Sequence, residues 1–376
     1  DFTTEGIKPM GTIYVNLLKF LVVPVVLFSI ADGVISLKDL KRVGSVGLKT
    51  FVYYMITTAL AVVIGLVLVN LFKGSFTPLP SADLGALEYE AKEAPSVMQV
   101  IVNIFPSNLL QPMVSSDMLP VIVIAIFLGA GVLAAGEKGQ KIAELINCGE
   151  EVIMQIMMMI IKFTPIGVFC TIVPVVEANG TKTIVSLATQ LIILYVAFYG
   201  FAIVVYGGAV KLIGKTSPVK FFKAIMPAAL NAFGTCSSSA TIPISKRCVE
   251  KELGVSNQIS SIAIPLGATV NMDAVSILMS FMIMFFANAC GINVSISMMV
   301  IILLANVLLS VGTPGIPGGA IASFAALATM AGLPAGVMGV YISINTLCDM
   351  GATCVNVIGD MAGCVVLQEK IKLEEN

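Results

Sequence analysis

The chain has 376 residues, of which 57% are hydrophobic and 11% are charged, and its mean hydropathy is +1.00. A soluble α/β enzyme of this length would need roughly twice that charge to cover its surface, so the composition excludes that class and indicates an integral membrane protein. The net charge of −1 gives no reason to expect a nucleic acid as a partner, whereas the lipid bilayer is the expected surroundings.

Apolar segments recur along the chain at lengths that can cross a bilayer, which predicts an all-α protein of the plasma membrane with multiple spans. Clusters of lysine and arginine follow the first span, precede the fourth and lie on both sides of segment 218–252, so these loops are expected to be cytoplasmic. The expected spans are 10–36, 45–72, 97–135, 142–176, 182–213, 256–287 and 335–367.

Two segments do not fit this pattern because each has a polar or breaking centre between short apolar arms. Segment 218–252 contains FGTCSSSATIP, and segment 296–331 contains VGTPGIPGGA. An exposed turn between two short spanning helices is one interpretation. The arms are too short to cross a bilayer of about 30 Å comfortably, and the two segments flank one span, which favours re-entrant hairpins. Paired interrupted segments of this kind indicate the binding site of a transporter.

The region between these segments and the last span carries acids without any base. Residues 253–368 contain no lysine, arginine, histidine or glutamate, and their acids are Asp273, Asp349 and Asp360. An uncompensated carboxylate inside a membrane is costly, so each needs protonation, a bound cation or a cationic group on a substrate. For any single aspartate, a protonated residue in helix packing is the alternative.

The spacing of the last two aspartates separates their roles. Asp349, Thr353, Asn356 and Asp360 follow the i, i+4, i+7, i+11 pattern and therefore share one helical face. Eleven residues span about 16 Å along a helix, so the two carboxylates serve different sites.

Asp273 stands in GATVNMDAV, close to other oxygen donors. Carboxylate, amide and backbone carbonyl oxygens suit alkali or alkaline-earth cations rather than soft metals. The chain has no histidine, and its eight cysteines form no CxxC pair, so zinc and haem sites are not predicted.

SSSATIP, GATVNMD, GTPGIPGG and DMGATCVNVIGD resemble, in order and spacing, the motifs of the glutamate transporter family of dicarboxylate and amino acid:cation symporters. The resemblance covers nearly the whole chain and implies an inverted-repeat, homotrimeric elevator transporter. It would place the scaffold in residues 1–44 and 74–178, and the transport domain, with hairpins at about 218–252 and 296–331, in residues 45–73 and 179–376. The family has one more N-terminal helix, so the chain begins at what looks like the second.

The resemblance also implies site residues. Asp349 would bind the substrate's ammonium group, and the serine-rich tip would hold its α-carboxylate. The implied substrate site comprises Ser237, Ser238, Ser239, Val275, Ile316, Pro317, Gly318, Ala320, Asp349, Ala352, Thr353 and Asn356.

Sodium is the implied coupling ion, with up to three ions and no organic cofactor. One ion would bind at Asp360, a second at Asp273, and a third at backbone carbonyls near the second interrupted segment. The implied sodium ligands are Tyr54, Thr57, Thr58, Gly267, Thr269, Asn271, Met272, Asp273, Ser310, Val311, Thr313, Asn356 and Asp360.

Two departures from the family predict a small neutral amino acid as substrate, such as serine, alanine, threonine or cysteine. Acidic amino acid carriers have an arginine either three residues after the substrate-binding aspartate or just before the three serines. Here these positions are Ala352 and Cys236, and the only arginines are Arg42 and Arg247. A buried substrate carboxylate would therefore have no bidentate partner.

Other functions stay open at this point. An acidic amino acid or dicarboxylate symporter, a proton-coupled carrier of the same fold and a cation channel are alternatives. An intramembrane aspartyl protease would need its two acids to share a proton, which the separation of Asp349 and Asp360 does not allow. Serine hydrolysis would need a base beside the serine cluster, and the chain has no histidine. We therefore do not expect an enzyme.

Overall fold

The computed structural model describes residues 4–42, 45–72, 102, 105–115, 118–163, 166–167, 169–170, 173, 181–311, 313, 315, 317–334 and 336–375. Within these residues the secondary structure is helical, without a strand, which confirms the all-α expectation. The α-helices are α1 (Thr4–Arg42), α2 (Ser45–Leu71), α3 (Gln111–Ser115), α4 (Met118–Ala134), α5 (Gln140–Ile161), α6 (Thr181–Phe201), α7 (Gly207–Leu212), α8 (Pro218–Thr235), α9 (Ser238–Arg247), α10 (Asn257–Val270), α11 (Asp273–Ala289), α12 (Ile296–Val311), α13 (Gly319–Met330) and α14 (Gly336–Glu375).

Four helical segments in the described part of the chain are long and apolar enough to cross a membrane. They are Val46–Leu71, Val185–Leu212, Asn257–Ala289 and Gly336–Lys370. The second of these runs through α6, a π-helical turn at Ala202–Tyr206 and α7. The arms α12 and α13 are shorter apolar helices, in keeping with the hairpin interpretation.

The expected continuous span 256–287 is in fact two helices with an irregular break. Helix α10 ends at Val270 and α11 begins at Asp273, and the residues between them, Asn271 and Met272, have non-helical dihedral angles. The amide of Asn271 still donates to the carbonyl of Gly267 at 2.9 Å. This break was not predicted, because an asparagine and a methionine carry no breaker signal comparable with glycine or proline.

Both interrupted segments are helical hairpins. The first hairpin, 218–252, is formed by α8 and α9, and its tip turns at Cys236, which has a left-handed backbone with φ of 50°. Ser237 follows in an extended conformation and caps α9, because its Oγ accepts from the amide of Ala240 at 3.1 Å. The second hairpin, 296–331, is formed by α12 and α13, and Gly318, with φ of 79°, precedes α13.

Helix α14 lies at the centre of the helices that carry the aspartates. It packs against α8, α10 and α11, and α11 also packs against α2. Every residue of segment 351–367 is buried, so the polar face of α14 points into protein rather than lipid. Helix α1 packs mainly on α4 and α5, and it also contacts α13.

Candidate functional site

Asp349 connects α14 to the tip of the second hairpin. Its Oδ2 accepts a hydrogen bond from the backbone amide of Gly318 at 3.0 Å, and its Oδ1 accepts one from Thr353 Oγ1 at 3.2 Å. The left-handed conformation of Gly318 aims this amide at the carboxylate, a geometry that favours glycine. Both partners are neutral, so among the described residues the charge of Asp349 is solvated by polar groups without a counter-charge.

The tips of the two hairpins are joined by hydrogen bonds to a single carbonyl. Ser237 Oγ donates to the carbonyl oxygen of Gly315 at 3.0 Å, and the amide of Ser239 donates to the same oxygen at 3.1 Å. Ser237 and Ser238 are buried, whereas Ser239 is exposed. The role of Gly315 was not predicted, because a backbone acceptor leaves no residue-type signal.

The remaining substrate residues implied by the resemblance lie on the second hairpin, α11 and α14. On the second hairpin, Pro317 is half-buried and Ala320 is buried, while Ile316 lies outside the described residues. On α11 and α14, Val275 and Ala352 are buried apolar side chains. The hydrogen bonds above join the two hairpin tips to each other and Asp349 to the second tip, whereas a shared pocket with Val275 and Ala352 stays a prediction.

Asn356 is engaged with α11 rather than with Asp349. Its Oδ1 accepts from the amide of Ala274 at 2.8 Å, and its Nδ2 contacts the sulfur of Met272 at 3.3 Å. Its backbone carbonyl accepts from Asn271 Nδ2 at 3.2 Å. This position fits the ion-site role implied for Asn356, and its contact with the substrate stays a prediction.

Asp360 lies in a cradle formed by α10, α2 and the break before α11. Its Oδ1 accepts from Asn271 Nδ2 at 2.9 Å, and its backbone carbonyl accepts from the hydroxyl of Tyr54 at 3.3 Å. The same hydroxyl donates to the carbonyl of Ala263 at 3.0 Å. A Cβ on Gly267 would overlap the Asp360 carboxylate, with 2.6 Å to its Cγ, so this cradle requires glycine.

Asp273 is fully buried at the start of α11 and is held by hydroxyl groups from two other helices. Thr58 Oγ1 on α2 donates to its Oδ1 at 2.6 Å, and the hydroxyl of Tyr206 donates to its Oδ2 at 2.7 Å. The hydroxyl of Thr57 donates to the carbonyl of Tyr54 at 3.1 Å. Tyr206 was not among the predicted site residues, because its sequence context shows only a hydroxyl within a long apolar run.

The oxygen atoms around Asp360 and Asp273 are suitable ligands for a hard monovalent cation. Asn271 lies two residues before Asp273 and donates to Asp360 through its Nδ2, and its Oδ1 is buried without a hydrogen-bond partner among the described residues. An oxygen of this kind, beside two carboxylates whose partners are neutral, is the ligand type that alkali cations accept. Gly267, Asn271, Asn356 and Asp360 could hold one such ion, and Thr58 and Asp273 could hold another.

The third implied ion site rests on backbone carbonyls at the ends of α10 and α12. The side-chain hydroxyls there are satisfied locally. Thr269 Oγ1 donates to the carbonyl of Leu266 at 3.1 Å, and Thr313 Oγ1 lies 2.8 Å from both the Leu309 carbonyl and Ser323 Oγ. Ser310 is buried close to the end of α12, which is Val311. A third ion at these carbonyls stays a prediction.

The comparisons with known proteins concern nearly the full chain. The family model described as the sodium:dicarboxylate symporter family matches residues 2–370. The chain is 30% identical over 369 residues to a proton/sodium-glutamate symport protein of Bacillus caldotenax, covering 96% of this chain and 87% of that protein. It is 28% identical over 377 residues to a C4-dicarboxylate transport protein of Bacillus subtilis (strain 168), covering 99% and 89%.

These matches confirm the expectations of a transporter, of a multi-pass protein of the cell membrane and of a chain that is not an enzyme. They also agree with the four motifs from which the resemblance was drawn. Because the matching model extends from one end of the chain almost to the other, the chain belongs to the sodium:dicarboxylate symporter family.

Proposed function

We propose that the protein is a sodium-coupled symporter of small neutral amino acids that works by an elevator mechanism as a homotrimer. The observation that carries the substrate assignment is the absence of a basic side chain beside Asp349 in the described residues. The proposed division keeps the scaffold at 1–44 and 74–178 and the transport domain at 45–73 and 179–376. Its support is that α1 packs mainly on α4 and α5, whereas α2 packs mainly on α11.

Asp349 is the proposed partner of the substrate's ammonium group. Asp349 is 5% exposed, and within the part of the chain that the structure describes its carboxylate receives hydrogen bonds from neutral groups alone. A buried carboxylate without a counter-charge is costly, and an ammonium group would remove that cost. Because Gly318 contacts the same carboxylate, the substrate would bind directly beneath the tip of the second hairpin.

The tip of the first hairpin is the proposed partner of the substrate's α-carboxylate. Helix α9 begins at Ser238, directly after the capping residue Ser237, and presents the positive end of its dipole. The serine hydroxyls add donors at the same place. A zwitterion bound between this tip and Asp349 would satisfy both of its charges.

The side-chain end of the pocket favours a neutral substrate. Ala352 and Val275 are buried and apolar, and the position before the serines is Cys236. Arg247, the nearest arginine in the chain, is nine residues beyond Ser238, or about 13 Å along α9, so it cannot reach this pocket. An acidic side chain would bury a carboxylate without a bidentate partner, at a cost of about 1–3 kcal/mol or more.

The second candidate is an acidic substrate, because the relatives reported above are named for glutamate and C4-dicarboxylates. Uptake into proteoliposomes separates the two. We expect sodium-driven uptake of serine or alanine to exceed that of aspartate, glutamate and succinate. Dominant uptake of any acidic substrate contradicts the neutral assignment, and unchanged uptake with choline in place of sodium contradicts sodium coupling and favours protons.

A variant pair tests the pocket itself. Ala352→Arg should raise the affinity for aspartate relative to serine, because a guanidinium there would pair with the side-chain carboxylate. Ala352→Met is the matched control, since it adds an unbranched side chain of nearly the same volume without charge. If both variants change the aspartate-to-serine ratio equally, then volume rather than charge determines selectivity and the argument fails.

A further inference from the structure

Tyr206 is the one described residue outside the implied ion ligands whose side chain reaches the Asp273 carboxylate. Its hydroxyl donates to Oδ2 at 2.7 Å, while Thr58 donates to Oδ1 at 2.6 Å from the opposite helix. The tyrosine is fully buried, and its ring packs edge-on against Phe201, with 5.1 Å between ring centroids and 87° between planes. The two oxygens of the Asp273 carboxylate therefore each accept a hydrogen bond, Oδ2 from Tyr206 and Oδ1 from Thr58.

The backbone of α6 explains how the tyrosine reaches this position. The helix widens into a π-helical turn at Ala202–Tyr206 before it continues as α7. One extra residue in a helix rotates everything after it by about 100°, and such turns are rare and often lie at functional sites. Tyr206 is the last residue of the turn, so its direction differs from that of a regular helix.

Helix α14 leaves room for the hydroxyl. A Cβ added at Gly359 would lie 2.5 Å from the Tyr206 hydroxyl and 2.6 Å from Asn271 Nδ2. Gly359 directly precedes Asp360, so the glycine lets the tyrosine hydroxyl approach α14 beside both carboxylates. The π-helical turn after α6, Gly359 on α14 and Asp273 on α11 together determine that the Tyr206 hydroxyl lies against Oδ2.

We propose that Tyr206 is a positioning residue for a sodium ion at Asp273, an inference that rests on the proposed function. Its hydrogen bond fixes the carboxylate with Oδ2 turned toward α6, and Oδ1 remains directed toward α2 and Thr58. A lone pair of Thr58 can bind the same ion, because a hydroxyl has two acceptor lone pairs besides the hydrogen that it donates to Asp273. With Oδ2 held by Tyr206, Oδ1 stays in place for the ion, so loss of the Tyr206 bond should weaken ion binding.

The test is the sodium dependence of thermal stability for the purified full chain in detergent. We expect Tyr206→Phe to raise the sodium midpoint, defined as the Kd fitted to the rise of stability with sodium concentration, by about 10-fold or more, the typical effect of losing an outer-shell partner of a metal ligand. The substitution keeps the ring and its packing. We also expect a changed ratio of sodium to lithium affinity, because a looser carboxylate discriminates less well between ions of different size.

Tyr195→Phe is the matched control. Tyr195 lies on the same helix, and its hydroxyl also donates at 2.7 Å, but to the backbone carbonyl of Leu347. Its removal should leave the sodium midpoint and the sodium-to-lithium ratio unchanged. If Tyr206→Phe lowers the melting temperature with and without sodium but keeps the midpoint, the residue is merely structural and the proposal is overturned.

The outcome for the unmodified protein separates the two proposals. If sodium does not stabilise it at all, then sodium coupling fails and the role of Tyr206 fails with it. If sodium stabilises the unmodified protein and Tyr206→Phe has the same sodium midpoint as that protein, only the positioning role is overturned. A midpoint shift in Tyr206→Phe that Tyr195→Phe shares would also overturn it, because any lost tyrosine hydroxyl would then suffice.

Discussion

Gly267→Ala is the most direct test of the cradle around Asp360. The added Cβ would overlap the carboxylate, with 2.6 Å to Cγ and 2.9 Å to the hydroxyl of Tyr54. Neither neighbour can move freely. Asp360 is 2% exposed and hydrogen-bonded to Asn271 at 2.9 Å, and Tyr54 is completely buried.

The magnitude follows from these contacts. Overpacking of a tight interior costs about 1–3 kcal/mol, and loss of a hydrogen bond to a charged group adds about 1.5–3 kcal/mol. We therefore expect Gly267→Ala to lower the free energy of unfolding by about 3 kcal/mol and to weaken sodium binding by about 10-fold or more. The weaker sodium binding has a separate cause, because displacement of Asp360 removes a carboxylate ligand.

Sodium-dependent thermal unfolding measures both effects in one titration. Gly131→Ala, within α4, is the control, because a Cβ there meets nothing within 4 Å. The free energy of unfolding of Gly131→Ala should rise by up to about 1 kcal/mol, because alanine lowers the entropy of the unfolded chain. If Gly267→Ala melts and responds to sodium like Gly131→Ala, the Asp360 cradle is not as tight as the contacts indicate, and the argument is refuted.

Three further variants test other contacts. Gly318→Ala forces a left-handed backbone onto alanine at a cost of about 1 kcal/mol and misdirects the amide that reaches Asp349, so substrate affinity should fall while sodium affinity in the absence of substrate stays constant. Ser237→Ala removes the cap of α9 and a bond between the hairpin tips, which should cost about 1–2 kcal/mol and accelerate hydrogen exchange at both tips. Glu250 lies outside the spans, and a hydrogen bond from the hydroxyl of Ser260 holds its pKa below its usual range. Ser260→Ala should raise that pKa, which NMR titration can follow. Since a depressed carboxyl pKa stabilises the fold above the ordinary glutamate pKa and is lost as pH falls, the variant should differ from wild type at neutral pH and converge with it in acid.

The sequence predicted the components of the site better than their contacts. The three aspartates stand out because no basic residue accompanies them within 253–368, and the hairpins stand out because serine, glycine and proline interrupt apolar arms. Both signals come from residue type alone, which a single sequence contains. They sufficed for the all-α membrane class and for the two helical hairpins.

The missed features depend on backbone geometry that residue type does not encode. The break at Asn271 and Met272 lies within an apolar run, and periodicity treats such a run as continuous. The carbonyl of Gly315 and the π-helical turn before Tyr206 act through main-chain direction. These are long-range arrangements, since Tyr206 and Asp273 are 67 residues apart in the chain.

The geometry of α14 gives a reason for the binding of cations and the binding of substrate to be coupled. Asp349 and Asp360 lie about 16 Å apart on one rigid helix, too far for one ligand to serve both. They are nevertheless linked, because Asn271 contacts both Asp360 and the carbonyl of Asn356, and Asn356 lies one turn from Thr353, the hydroxyl partner of Asp349. An ion that orders Asn271 would therefore stabilise the segment of α14 that presents Asp349. By linkage, an amino acid that orders Asp349 must strengthen cation binding by the same factor.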